Sequence, residues 1–363
     1  MQTAAVRLGG FAFAQQPLEI IREHRWFLAI VLIYALAGLV HAWSHDLLQW
    51  MSLSLYSSRI FERYALWLMF FCFLYPIYVM VCVRPARLTR YMIDDLRTTY
   101  LTFDRLFAAA IVMALLPTFV SVFTSIKVMI PFVHPFDWDP SFAEWDRLLH
   151  GGRHPWEILQ PLLGYPLVTT FLNVIYHLWF FLLYAIVCWQ AFARRDRLLR
   201  MQFFLSFLLT WALLGSGLAT VFASVGPVYY GAVTGLPDPY APLMAYLNAA
   251  NEVHPVWALT VQDMLWEGYQ SGAIEQGKGI SAMPSMHIAA VMLNVLFGWR
   301  VSRLFGWLML AFAFLTFLGS IHLAWHYAID GYVSVIGTWL IWYAVGRFLK
   351  RDPQLQDAPH CGR

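Results

Sequence analysis

The sequence predicts an all-α fold, a polytopic integral membrane protein of about eight transmembrane helices. Three observations carry that expectation. Of 363 residues, 60% are hydrophobic and 12% charged, about half the ~25% charge of a soluble domain. Eight apolar stretches lie at 27–43, 64–83, 106–126, 166–190, 201–222, 284–299, 304–325 and 331–346. All approach the roughly 17–25 residues that span a bilayer as a helix, the sixth and the eighth being the shortest. Threading them alternately through a membrane places 18 of the 24 Lys and Arg on the side that holds both termini. Cytoplasmic loops carry such an excess, so both termini are expected in the cytoplasm.

Residues 1–26 read as a cytoplasmic tail with an interfacial helix over 11–26, its apolar side formed by Leu18, Ile21 and Trp26. Charges at Glu19, Arg22, Glu23 and Arg25, with no small-residue cleavage site, argue against a signal peptide. Residues 27–105 hold two additional helices and a basic, solvated cytoplasmic connector at 84–105. Residues 106–347 form a six-helix bundle, and 348–363 a cytoplasmic tail. Cys72, Cys82, Cys188 and Cys361 all avoid the outer loops, so no extracytoplasmic disulfide is expected.

Two outer segments are informative. Ser141 to His150 places Phe142, Trp145, Leu148 and Leu149 at helical spacing and ends in Gly151–Gly152, which reads as a short interfacial helix with a glycine C-cap. The second, 223–283, opens with Gly226–Pro227, which breaks the helix and lets backbone face a site. Tyr229 and Tyr230 follow, either as donors to a phosphoryl oxygen or head group, or as ordinary interfacial tyrosines. Pro255 to Gly272 reads as another interfacial helix carrying Trp257, Val261, Leu265 and Trp266.

Polar chemistry gathers at the outer boundary of the last three spans. Pro284-Ser285-Met286-His287 opens one span, and Gly319 to Asp330 joins the next two. His326 and Asp330 are four residues apart, hence on one helical face. A carboxylate there can accept the imidazole N–H and fix its tautomer, which prepares a nucleophile. His287 can supply a proton to a leaving group. Ser285 sits at a helix N-terminus, where backbone N–H groups and a hydroxyl favour an anion; it also reads as a simple N-cap.

These two segments resemble the type-2 phosphatidic acid phosphatase superfamily, histidine phosphatases and lipid phosphotransferases with a Pro-Ser-Gly-His segment and a later His-x-x-x-Asp. Met286 in place of the glycine is similar to the branch that holds inositol phosphorylceramide synthase. The Asp146-Arg147 stretch before Gly151–Gly152 is similar to one found in bacterial relatives. The resemblance implies metal-independent phosphoryl transfer without a cofactor, through phosphohistidine on His326. Asp330 would orient it, and His287 would serve as acid and base. The implied partners are membrane lipids: a lipid phosphate or phosphoinositol donor, and a lipid hydroxyl or water as acceptor.

The sequence departs from the superfamily in its phosphate-binding motifs. Arg84–Pro85 does not complete Lys-x6-Arg-Pro, because residue 77 is Ile, and Gly319 and Ser320 stand where Ser-Arg is expected. Lys278 is therefore the expected phosphate cation. His322, one turn before His326, either assists or fills a helix interface, and Arg147 either anchors its helix or touches substrate. Dispersed basic residues offer nucleic acid no patch. Two other classes use membrane histidines. Haem ligation wants histidine pairs on facing spans, and His177 is unpaired by sequence. A transporter favours midplane charge and internal repeats, and none is seen.

Overall fold

The computed structural model describes residues 17–57, 60–193, 196–272 and 279–356. Among them there are helices and turns and no strand. The N-terminal part holds α1 (Arg25–Ser44), α2 (Ile60–Tyr78, continued by a π turn Val79–Val83) and the long α3 (Phe103–Val133). Two short helices follow, α4 (Asp139–Leu149) and α5 (Pro155–Leu163), then α6 (Pro166–Phe192) and α7 (Arg197–Leu209, extended as a π helix to Leu218). A second short pair, α8 (Ala241–Val253) and α9 (Trp257–Ser271), leads to α10 (Met286–Val301), α11 (Arg303–His322) and α12 (Ala328–Leu349).

Among the described residues seven helices, α1, α2, α3, α6, α7, α11 and α12, are long and apolar enough to cross a membrane, so the protein is a multi-pass membrane bundle. The eighth expected span is different in kind. At 16 residues, α10 is about 24 Å long, short of a hydrocarbon core of roughly 30 Å. It packs against α6, α7, α11 and α12 and buries Ile288, Val291, Leu293, Asn294 and Phe297. Being apolar on every side suits a helix surrounded by others. Its approach to α11 is close: a Cβ built on Gly298 would stand 3.3 Å from the Gly306 Cα.

The N-terminal segment turns its polar side into the protein. Residues 17–23 are helical, but Leu18, Ile21 and Trp26 face outward while Glu23 and His24 are buried. The reason is Arg200, fully buried on α7. Its guanidinium donates to His24 Nε2 at 2.8 Å and the Gln190 carbonyl at 2.8 Å, with Glu23 at 3.5 Å. A buried cation must be paired and fully hydrogen-bonded, so the polar face turns inward. Residues 11–16 of the expected helix lie outside the described residues, as does Cys361. Just beyond, Arg25 and Trp26 both donate to Asp352, tying the start of α1 to the segment after α12. The connector expected to be only solvated contains a helix, Leu88–Asp95.

The outer helices expected at 141–150 and 255–272 are present as α4 and α9. Gly152, at φ +86°, donates its N–H to the Arg147 carbonyl at 2.8 Å, and Gly272 closes α9 at φ +64°. The helices α5 and α8 were not anticipated. Each begins with proline in its first turn, a start signal that was there to be read.

Candidate active site

Three loops meet at one end of the bundle: 224–228 after α7, 280–285 before α10, and 323–327 between α11 and α12. Backbone bonds stitch them together. Ala282 N–H donates to the Ser224 carbonyl at 2.9 Å, and Val228 N–H to the Ala324 carbonyl at 3.0 Å. Gly226 takes φ +87°, and a Cβ there would stand 2.7 Å from the Trp325 carbonyl oxygen. Only glycine allows both the positive φ and that approach. The sequence-level expectation that Gly226–Pro227 brings backbone to the site matches this arrangement.

The structure brings His326, Asp330 and His287 together. His326 Nδ1 lies 2.9 Å from the Ala282 carbonyl oxygen and 3.2 Å from Asp330 Oδ2. Both are acceptors, so Nδ1 carries the hydrogen and Nε2 keeps its lone pair. Nε2 points at His287 Nδ1, 3.4 Å away. Since Nε2 accepts, His287 Nδ1–H is the donor in this pair. Burial draws the His326 pKa down to about 3, against the opposing pull of the Ala282 carbonyl, and the nearby Lys127 charge adds to the fall. The imidazole is thus neutral at pH 7, the form that can attack.

Asp330 Oδ2 also accepts the Tyr327 N–H at 3.1 Å, and its backbone carbonyl accepts the Ser285 N–H at 3.3 Å. The two motifs are therefore bonded directly. Ser285 is the N-cap of α10, its Oγ accepting from the Ile288 N–H at 3.4 Å. That position sets the first N–H groups of α10 beside His287, where a helix start favours an anion. The His287 ring is stacked on Tyr176 at 4.6 Å and meets Trp179 edge-on at 4.7 Å.

The remaining expected residues lie elsewhere. Tyr229 donates its hydroxyl to the Gln262 carbonyl at 2.7 Å and stacks on Trp266. Tyr230 is buried against Tyr240, in a cluster with Phe142, Met283 and Tyr327. Arg147 pairs with Glu144 at 2.8 Å on the surface of α4. His322 is buried with Nε2 2.9 Å from Thr169 Oγ1 and its ring against Tyr246, at an interface between α11, α6 and α8. Lys278 lies outside the described residues.

One cation was missed. The Lys127 charge, in the last turns of α3, bears on both His287 and His326, and its backbone abuts Gly279, where a Cβ would stand 3.2 Å from the Lys127 carbonyl carbon. The signal was legible. Lys127 is followed after six residues by His134–Pro135, the spacing of Lys-x6-Arg-Pro with histidine in place of arginine.

Two carboxylates were also undervalued. Asp139 and Asp146 of α4 are both buried and bond to the loops around His326. Burial raises the Asp139 pKa to about 6 and also raises that of Asp146, in each case against bound N–H groups. Among the described residues no group of three or more His, Cys, Asp and Glu is arranged to hold a metal ion. A family model described as PAP2 superfamily matches residues 140–344. No curated protein and no solved structure matches the chain at a significant level.

Proposed function

The chain belongs to the PAP2 superfamily, matched over more than half its length, and from that membership we propose that it transfers a phosphoryl-containing group between membrane lipids through a phosphohistidine on His326. At the coarser level it is a membrane enzyme of the phosphatase and phosphotransferase type. The observation that carries the finer reading is the His326 geometry. Its Nδ1–H is held by Ala282 and Asp330, and its Nε2 lone pair faces His287.

The chemistry balances on these residues. Nε2 attacks phosphorus, and an N–P bond forms as the P–O bond to the leaving group breaks. Asp330 and the Ala282 carbonyl hold Nδ1–H while the ring becomes cationic. His287, entering the step as imidazolium, gives its Nδ1 proton to the departing oxygen and is left as the neutral imidazole. In the second half His287 removes a proton from the acceptor hydroxyl as that oxygen attacks phosphorus and the N–P bond breaks. Lys127 and the N-terminus of α10 neutralise the phosphoryl oxygens. Lys278 is a further candidate for that role.

The acceptor we favour is a lipid hydroxyl, in the manner of inositol phosphorylceramide synthase. Met286 replaces the glycine of generic phosphatases, and the arginine of the later motif is replaced by Ser320. The aromatic ceiling of Tyr176, Trp179 and Trp325 around His287 supports exclusion of water from the intermediate, which favours alcoholysis. The competing reading is a phosphatase acting on a lipid or polyprenyl phosphate. Orientation by basic residues would put the site on the extracytoplasmic side.

The test is product partition in liposomes, with labelled lipid phosphate and phosphoinositol donors and added ceramide or diacylglycerol. Label moving into the added alcohol supports transfer. Quantitative free phosphate, indifferent to any acceptor, leaves the phosphatase. An inert protein across the donor set, with no alkali-stable label on histidine, overturns both.

A further inference from the structure

We propose that Asp146 and Asp139, on the outer helix α4, are positioning residues that hold the His326–Asp330 turn in its reactive geometry by bonding both of its flanks; the proposal rests on the functional reading above. Neither carboxylate touches the two histidines. Their bonds end on the backbone and on the one side chain that frame the nucleophile.

Asp146 acts on the C-terminal flank. Its Oδ2 accepts the Ala328 N–H at 2.8 Å and its Oδ1 the Ile329 N–H at 2.9 Å. Those are the first two N–H groups of α12, which have no partner inside their own helix. Such donors are usually met by the residue just before the helix. Here that residue is Tyr327, which has no short acceptor side chain, and the acceptor comes from another helix. The third residue of the same turn is Asp330, whose Oδ2 reaches back to the Tyr327 N–H and to His326. Asp146 therefore fixes the point from which Asp330 is measured.

Asp139 acts on the other flank. Its Oδ1 accepts the Tyr327 hydroxyl at 2.8 Å and the Gly226 N–H at 2.9 Å, and its Oδ2 the Val225 N–H at 2.9 Å. The 225–228 loop in turn accepts no slack, since Val228 N–H bonds the Ala324 carbonyl and Gly226 packs on the Trp325 carbonyl. Residues 324–329 are thus gripped from both sides by one helix.

The burial makes this costly to arrange for stability alone. Asp139 and Asp146 are 0% and 1% exposed, and removing a carboxylate from water is repaid only when its oxygens are fully bonded. All four oxygens are bonded, and every bond ends in the nucleophile turn or in the loop packed against it. Arg147, the neighbouring cation, pairs instead with Glu144, so the two carboxylates are not there to balance α4's own charge.

The test uses orthovanadate and inorganic phosphate as probes on the full-length protein in detergent, by titration calorimetry. Orthovanadate becomes five-coordinate when an imidazole nitrogen binds it, so it reads nucleophile geometry, whereas phosphate reads ground-state anion binding. Transition-state mimics exceed ground-state ligands by about a hundredfold or more. Asp146→Asn is expected to weaken vanadate by about 10- to 100-fold while phosphate stays within about twofold, the pattern of lost orientation. Asp139→Asn should do the same. Equal weakening of both probes, or no change in either, overturns the positioning role. If Asp146→Asn yields no folded protein, Asp146→Glu keeps the charge and both acceptors one methylene further out; vanadate weakened less than in a successful Asp139→Asn supports the proposal, and wild-type vanadate affinity overturns it. A wild-type protein that binds vanadate no better than phosphate overturns the functional reading instead, and this one with it.

Discussion

His326 Nε2 stands 3.4 Å from His287 Nδ1, the two nitrogens in direct contact. In the proposed reaction the phosphorus bonded by His326 and the leaving oxygen protonated by His287 must both lie between the rings, so the proposal requires the rings to part when substrate binds. The His326 side is fixed by the Ala282 carbonyl and Asp330, while among the described residues His287 is framed by the rings of Tyr176 and Trp179. The proposed reaction therefore expects His287 to be the ring that gives way, its imidazolium passing the Nδ1 proton to the leaving oxygen.

His326→Ala is expected to abolish turnover, because no other group can form the N–P bond. His287→Ala should cost about 10²- to 10⁴-fold, the usual range for a lost general acid. With a nitrophenyl ester, whose leaving group needs no proton, the His287→Ala loss should shrink by at least about tenfold. Equal losses on activated and natural esters would remove His287 from the acid role.

Lys127→Ala should act on binding rather than on orientation. Inorganic phosphate affinity is expected to drop by about tenfold, with Lys127→Arg recovering much of it, since the charge is restored though not its shape. Unchanged phosphate binding in Lys127→Ala would return the cationic role to Lys278.

The depressed His326 pKa makes a stability prediction. Its ordinary value is 6.5 and burial holds it at about 3 in the folded protein. Below pH 6.5 the unfolded chain therefore binds the extra proton, and stability falls as pH drops from 6.5 towards 3. Asp139 has the opposite sign: its pKa is raised from 3.8 to about 6, so its contribution is full below 3.8 and lost as pH rises through 6. His326→Gln should accordingly flatten the acid-side fall in thermal midpoint between pH 6.5 and 4. A parallel fall in both proteins would show that His326 does not titrate on unfolding.

Orientation is testable at Leu149, exposed on α4. A Leu149→Cys variant should react with a membrane-impermeant thiol reagent added to intact cells. Labelling only after the membrane is opened would invert the topology and put the site on the cytoplasmic face.

The bundle was legible because hydrophobic length is a strong signal: among the described residues seven of the apolar runs are helices long and apolar enough to cross a membrane. What periodicity did not carry was burial. The run at 284–299 has the composition of a span, yet α10 is an inner helix enclosed by four others. The His326–Asp330 pairing followed from i,i+4 spacing and survives in the geometry, even though the turn at 323–327 interrupts the helix between them. Long-range partners were harder. Asp139 lies 86 residues before Val225 and 188 before Tyr327, Asp146 lies 182 before Ala328, and Lys127 is as remote from the histidines, so only the fold brings α3 and α4 to the loops. Tyr229 looked like a ligand for want of its Gln262 partner, which no local pattern announces.

The tie between Arg25, Trp26 and Asp352 bears on how the protein meets bilayers of different thickness. Transmembrane helices usually adjust to hydrophobic mismatch by tilting. Here α12 is secured near its N-terminal end through Asp146 and, beyond its C-terminal end, to the start of α1. It cannot tilt without taking α1 with it. A thicker or thinner membrane should therefore rotate the two as one body, with the looser α2, only 11% buried over its span, absorbing the mismatch, and the distance from His326 to Asp330 should stay the same in either.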